Sequence, residues 1–278
     1  MREILSSTEL VAAAGGDAKV LWAGQGMTDG TRAWYAGDAL AVVAPDLSRH
    51  DRIVVRGPVD QAAALVREVL GVVGTAYRPF GDEELVRGLV ERIPELSLRA
   101  TFGWMEIDEA PASALNAMPF ASGGTMVVET VTARWLADDA GVAELLDEAS
   151  PTSYARPGDR GVLRWAGVED PTTDTAPVAG GKAAWVSAPG DGSADSARLL
   201  SVAADAWSAP EVGFLAGVAT LPTARGRGLS KQVCAFVTAE LVKRHGRVAL
   251  MVDGRNDTAI GLYRTLGYSY HPVGAAQL

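Results

Sequence analysis

The sequence predicts an α/β (α+β) protein of two domains, with a mixed sheet flanked by helices in the C-terminal one. Three observations predict it. The 278 residues exceed one average domain and fit two of ordinary size. Short β-branched runs alternate with helical periodicities along the chain. The most apolar run, Val212 to Thr220, is near-continuous, as in a strand buried on both faces, and passes through a glycine-rich turn into a helix. With 48% hydrophobic and 21% charged residues the chain can bury a normal core.

The elements follow in order. Ala39 to Ala44 and Arg52 to Arg56 are short β-branched runs separated by the turn formers PDLSRHD, so they predict a hairpin. Val59 to Leu70 places Ala62, Val66, Val69 and Leu70 on one helical face. Asp82 to Ile93 opens with acidic residues and repeats Leu85, Leu89 and Ile93 at four-residue spacing. Ala76 to Phe80 and Leu98 to Ile107 read as strands. Asp108 to Gly124 is rich in Ala, Pro, Ser and Gly without periodicity, which is how a linker reads. The expected organisation is therefore an N-terminal domain over 1–110, a linker over 111–124 and a C-terminal domain over 125–278.

In the second half, Met126 to Ala133 is strand-like and Asp138 to Ala149 helical, and Val162 to Val168 and Leu199 to Trp207 are two further strands. Between the last two lies an insertion over 169–197 with low-complexity ends and a strand candidate, KAAWVS. After Val212 to Thr220, Pro222 breaks the strand and Arg225-Gly226-Arg227-Gly228-Leu229-Ser230 follows. Leu229, Val233, Val237 and Leu241 then recur every four residues in a helix that ends with Lys243, Arg244 and His245 before Gly246. A strand, a glycine-rich turn and a helix in this order aim unpaired N–H groups and the positive helix end at one spot, where an anion such as a pyrophosphate can bind. Arg247 to Val252 is a strand, Asn256-Asp257 can cap a helix over Thr258 to Leu266, Gly267 ends it, and Tyr268 to Pro272 is the closing strand.

Pro222 to Ser230 resembles the pyrophosphate loop of GNAT-type N-acyltransferases, with Arg225 and Gly228 in place and Ser230 where the pattern has Gly or Ala. The string NDTAIGLYRTLGY, from Asn256 to Tyr268, resembles the later GNAT segment in which an Asn opens a helix, a Tyr follows seven residues on, and Leu-Gly-aromatic leaves it. The resemblance covers Val212 to Pro272 by motif and Met126 to Trp207 by strand order. It implies a GNAT-like sheet and transfer of an acetyl or other short acyl group from acetyl-CoA to an amine, with no metal. It further implies that Val218, Ala219 and Thr220 lend backbone groups to the pantetheine arm. Arg225, Gly226, Arg227, Gly228, Leu229 and Ser230 would hold the pyrophosphate, Asn256 would anchor the cofactor near its reactive end, and Tyr263 would stand by the sulfur as general acid. The order hairpin, helix, strand, helix, strand in the first half resembles the later part of the same unit, without a glycine-rich turn or a tyrosine helix. The N-terminal domain is thus expected to be a degenerate copy or an unrelated α+β module.

Each candidate has a plainer reading. Tyr263 can be a packed helix residue, and Glu211, a candidate base at the start of the loop-bearing strand, can be a solvated strand-end carboxylate. Glu129 has the same weaker claim. Cys234 reads as buried packing, His245 as a helix terminus, and most tryptophans as core. A formal charge of −9 sets aside a general nucleic-acid binder, and one RGRG does not make an RNA-binding tract. The single cysteine fits a reducing compartment, and the sequence shows neither a signal peptide nor a membrane span, so a cytoplasmic monomer or homodimer acting on a small-molecule or peptide amine is expected. The competing function is a catalytically inactive acyl-CoA sensor.

Overall fold

The structure, a computed structural model, describes residues 1–28, 30–111, 119–120, 129–130, 132–170 and 198–278. Its N-terminal half opens with strand β1 (Arg2–Ile4) and helices α1 (Ser7–Ala14) and α2 (Ala18–Gly24), then runs β2 (Arg32–Ala36), β3 (Ala39–Leu47), β4 (His50–Arg56), α3 (Val59–Val73), β5 (Arg78–Asp82), α4 (Glu83–Arg92) and β6 (Ser97–Ile107). Two-residue strands β7 (Pro119–Phe120) and β8 (Glu129–Thr130) pair only with each other among the described residues. The C-terminal half runs β9 (Arg134–Trp135), α5 (Val142–Ala149), β10 (Val162–Glu169), β11 (Leu199–Ala206), β12 (Gly213–Thr220), α6 (Leu229–His245), β13 (Val248–Val252), α7 (Asp257–Thr265) and β14 (Ser269–Gln277).

The hairpin, α3, α4 and β6 form where periodicity places them, and Ala62, Val66, Val69 and Leu70 are buried together on α3. The first 38 residues carry elements that the periodicity did not predict. α1 is capped by Ser6, whose Oγ accepts from Glu9 N–H (3.2 Å), while Glu9 accepts from Leu5 N–H (3.2 Å). Asp17 caps α2 through bonds from Lys19 and Val20. Both cap signals stand in the sequence, but helices of eight and seven residues are too short for a periodic stripe to announce them. The predicted helix from Asp138 begins later, at Val142 behind Gly141 in a left-handed conformation. KAAWVS and most of the predicted linker lie outside the described residues, and of the predicted Met126 to Ala133 strand only β8 is described as strand.

Twelve strands make one sheet, in the order β1-β2-β3-β4-β5-β14-β6-β13-β12-β11-β10-β9. This order is a palindrome. Each half supplies four antiparallel strands, then a helix, a parallel strand, a second helix and a last strand, and β4 pairs in parallel with β5 as β12 does with β13. The last strands cross over: β14 lies between β5 and β6, and β6 between β14 and β13. Each half's sheet is thus continued by the other half's final strand.

The sheet is strongly curved. In a flat sheet Phe80 on β5 and Phe214 on β12, four strands apart, would be separated by about 19 Å. Both rings instead touch Trp22 of α2, with centroids 6.4 and 4.8 Å away, and Trp104 of β6 joins at 5.5 Å. Trp22 is fully buried and donates its indole N–H to Trp207 O (2.9 Å). One N-terminal side chain therefore fixes the bend of strands from both halves. Helices α3 and α4 cover the N-terminal strands with a separate apolar cluster, while α6 packs on β11 and β12. Among the described residues no helix is long and apolar enough to cross a membrane.

Candidate active site

β12 and β13 pair only through Gly213 with Val248 and Phe214 with Ala249. Beyond Phe214 they separate, and the edge of Leu215 to Thr220 faces a cleft. The other edge of β12 stays on β11, where the register shifts between Val202 and Ala204. Gly217 sits beside this irregularity at φ +61°, and a Cβ there would come within 2.5 Å of the Trp165 ring. Conformation and space both demand glycine at this point. Buried Ser201 fixes the far end of the strand by donating to Ala219 O (3.1 Å).

A short turn over Pro222–Ala224 leads from β12 into the glycine loop. Gly226 and Gly228 both lie at φ +77°, and Gly228 is the N-cap of α6. A Cβ on either would meet nothing within 4 Å, so these glycines answer a backbone requirement, with open space above them. The α6 ladder begins with Gln232 N–H donating to Gly228 O (3.1 Å), so the amides of the first turn have no carbonyl within the helix to serve them. Arg225 is held over the loop entrance by bonds to Thr220 O and Ala149 O, each 3.4 Å. Leu229 turns into the core, while Arg227 is half-buried and lies off the cleft lining.

Asn256 caps α7, its Oδ1 accepting from Ala259 N–H (3.0 Å), which leaves its amide nitrogen for the cleft it lines. Two turns along, Tyr263 also lines the cleft although only 7% exposed. Its ring packs edge-on against Tyr268, whose hydroxyl bonds Thr238 Oγ1 (2.7 Å). Burial, then the neighbouring Cys234 and Tyr268, raise the Tyr263 phenol well above its ordinary value, so it keeps its proton at neutral pH. Cys234 is a buried side chain whose thiol burial pushes up to about 12.

The cleft encloses about 1560 Å³ and is lined by both halves: by β12, the glycine loop and α7, and by Ser48, His50, Arg52, Arg78 and residues 99–102 of the N-terminal half. Glu211 is not among its lining residues; it lies in the turn before β12, beside the Ala209–Val212 bridge, and its reading as a base gains no support from that position. The side chain of Glu129 is outside the described residues. His245 ends α6 beside Gly246, as its sequence context predicts, with Nδ1 3.2 Å from Pro210 O. His271 lies at the exposed surface, 3.2 Å from Ser269 Oγ.

His50, which falls within the turn-forming segment PDLSRHD, is instead the first residue of β4. It stands on the cleft with Nε2 3.3 Å from an Arg78 terminal nitrogen, and burial, then Arg52, Arg78 and Arg49, depress it to about 4. Together with Arg52 and Arg78 it forms a polar wall that no motif announced. Its members come from two strands of the half without a glycine loop, and only the bend of the sheet brings them to this cleft.

Residues 196–273 match the family model described as FR47-like protein. The fold is similar to that of a GCN5-related N-acetyltransferase from Kribbella flavida, at TM-score 0.55 and 17% identity, covering 96% of this chain and 95% of that one. It is also similar to a Drosophila protein, at TM-score 0.58 and 13% identity over 100% and 97% of the two chains. A GCN5-related N-acetyltransferase-like protein from Streptococcus suis matches at TM-score 0.50 and 11% identity over 96% of each. No curated protein matches the sequence.

Proposed function

We propose that this chain, which has the GNAT fold and matches the FR47-like family over residues 196–273, transfers an acetyl or other short acyl group from acetyl-CoA to an amine. The observation that carries the reading is the opening of β12 away from β13 directly beside a glycine loop at the N-terminus of α6. An extended amide-bearing arm fits the free edge of Leu215 to Thr220, and a pyrophosphate fits the loop, where Gly226 and Gly228 keep side chains clear of the amides and the helix end is positive.

When bound, acetyl-CoA supplies an acyl group activated as a thioester. The chain's residues then have three tasks. Backbone N–H groups on the unpaired edge of Val218 to Thr220 steady the negative charge that gathers on the carbonyl oxygen as the amine adds. Asn256, fixed by its capping bond, donates its amide hydrogens toward the reactive end of the cleft. Tyr263 holds the proton that the departing thiolate takes up, and the proton that the amine nitrogen sheds on becoming an amide passes to solvent in the open cleft, from which the phenol is restored. A phenol raised above 10 is a poor acid toward a thiol of ordinary pKa, about 8.5. The apolar surroundings that raise Tyr263 also push the thiol of Cys234 to about 12, so a thiolate leaving in the same setting gains avidity for a proton as the phenol loses acidity, and the one change offsets the other.

Among the described residues one half alone offers such a site. At the matching position of the N-terminal half, Gly57 is followed by Pro58, the N-cap of α3, and a Cβ on Gly57 would lie 2.6 Å from Asp38 O. That connection is closed against neighbouring backbone and offers no loop for a phosphate.

Saturating acetyl-CoA, at about 100 times its Kd, is expected to stabilise the native state by about 2.7 kcal/mol and so raise the Tm by several degrees. Amines added afterwards are expected to release free thiol. An unchanged Tm at saturation overturns the reading, and stabilisation without amine-dependent thiol release reduces it to acyl-CoA binding.

A further inference from the structure

The floor of the cleft holds a buried cation with no counter-ion. Arg52 is only 4% exposed, yet neither it nor its neighbour Arg78 has a carboxylate partner among the described residues. The Arg52 guanidinium is held in place by other means. Its Nε donates to Leu47 O (2.9 Å), Nη2 lies 3.5 Å from Ser48 O, and its plane rests 5.4 Å from the Phe80 ring centroid and 5.8 Å from that of Trp22. Nη1 makes no hydrogen bond among the described residues, and the residue lines the cleft. Arg78 is its direct partner across the parallel β4–β5 pair, so two like charges stand side by side. Burial and the Arg78 charge lower the Arg52 guanidinium to about 10, which still leaves it charged at neutral pH.

The other charges on the lining do not neutralise this pair. Glu83 is bound to Arg87 (2.6 Å) and Asp253 to Arg255 (3.1 Å). His50, against Arg78, is depressed to about 4 and so stays neutral. Exposed Arg99 adds positive charge. An unpaired buried charge is among the most costly features that a fold can retain, and it persists where an anion arrives to meet it.

The position of the pair connects it to the reaction. Arg52 lies on Trp22, and Trp22 stacks on Phe214, the residue at which β12 parts from β13. The cation therefore stands one layer of rings from the point where the acyl group would lie. Among the described residues two of Arg52's three nitrogens are occupied by carbonyls and one of Arg78's three is engaged by His50, so each guanidinium keeps a terminal nitrogen to offer. That suits the two oxygens of a carboxylate.

We propose that the acceptor is an amine that itself carries a carboxylate, and that Arg52 and Arg78 bind this group and so place the amine at the mouth of the β12–β13 opening. The proposal rests on the reading of the chain as an acetyltransferase. It assigns acceptor choice to the half of the molecule that lacks the glycine loop.

The test compares kcat/KM, by thiol release, for glycine, alanine, phenylalanine and glutamate, each against its α-amide, with acetyl-CoA stabilisation measured on the same preparations. The wild-type protein is expected to prefer the free carboxylates by about tenfold to a hundredfold, the loss that accompanies a missing charge-assisted hydrogen-bond pair. Arg78→Gln, at a half-buried position, is expected to bring the ratio close to one by raising KM for the carboxylates. Arg52→Lys keeps the buried charge but loses the fork, and is expected to lower the ratio about tenfold. If acetyl-CoA binds but no amine is used, or amides are used as well as carboxylates, or both variants keep the wild-type ratio, the proposal fails while the acyl-CoA site stands. If acetyl-CoA does not stabilise the protein, the acetyltransferase reading itself fails, and this inference with it.

Discussion

Tyr263 combines two properties that packing alone does not require: a ring buried against Tyr268 and a place on the cleft lining. Removing only its hydroxyl preserves the ring contact, so Tyr263→Phe separates chemistry from packing. The expected outcome is a fall of about a hundredfold in the single-turnover transfer rate, within the range for loss of a general acid, with the Kd for acetyl-CoA changed by less than about twofold. An unchanged rate makes Tyr263 a packing residue. At this scale the loop side of the site was legible, because Gly226, Gly228 and Asn256 act through local backbone geometry that the sequence encodes at short range. Arg52, Arg78 and His50 were not legible, because nothing within a few residues of each records that it faces a cleft built largely by the distant C-terminal half.

Elements with a strong period formed where the sequence placed them. On α6, Leu229, Val233, Val237 and Leu241 are all buried, and on β6 both Trp104 and Met105 are buried, as in a strand covered on both faces. Helix α2 shows the opposite case. It has seven residues and little pattern, yet its Trp22 touches aromatic rings from β5, β6 and β12 and holds the curvature on which the cleft depends. Trp22→Ala is expected to destabilise the fold by about 3–5 kcal/mol, as for other buried large aromatics, measured by denaturant unfolding. A loss below about 1 kcal/mol would mean that the bend is held elsewhere. Because Arg52 rests on the same ring, the variant also tests whether the basic wall and the sheet's curvature are one feature.

Over the whole molecule, two similar halves are joined by exchanging their last strands. β14 is flanked by β5 and β6, and β6 by β14 and β13, so a cut near residues 111–124 leaves each fragment without a strand that its sheet contains. Fragments 1–110 and 125–278 expressed separately are expected to be aggregated or unfolded by circular dichroism, and to recover acetyl-CoA-dependent stabilisation when produced together. Two independently folded, soluble fragments would overturn this. The sequence by itself determined the alternation of strands and helices, the glycine loop before α6 and the tyrosine helix, since each is written in spacings of two to eight residues and in glycine's access to positive φ. Only the tertiary structure decided that the halves share one palindromic sheet, that it bends around Trp22, and that arginines from the first half line the cleft of the second. These follow from strand pairing and packing between residues far apart in the chain, which local periodicity does not encode.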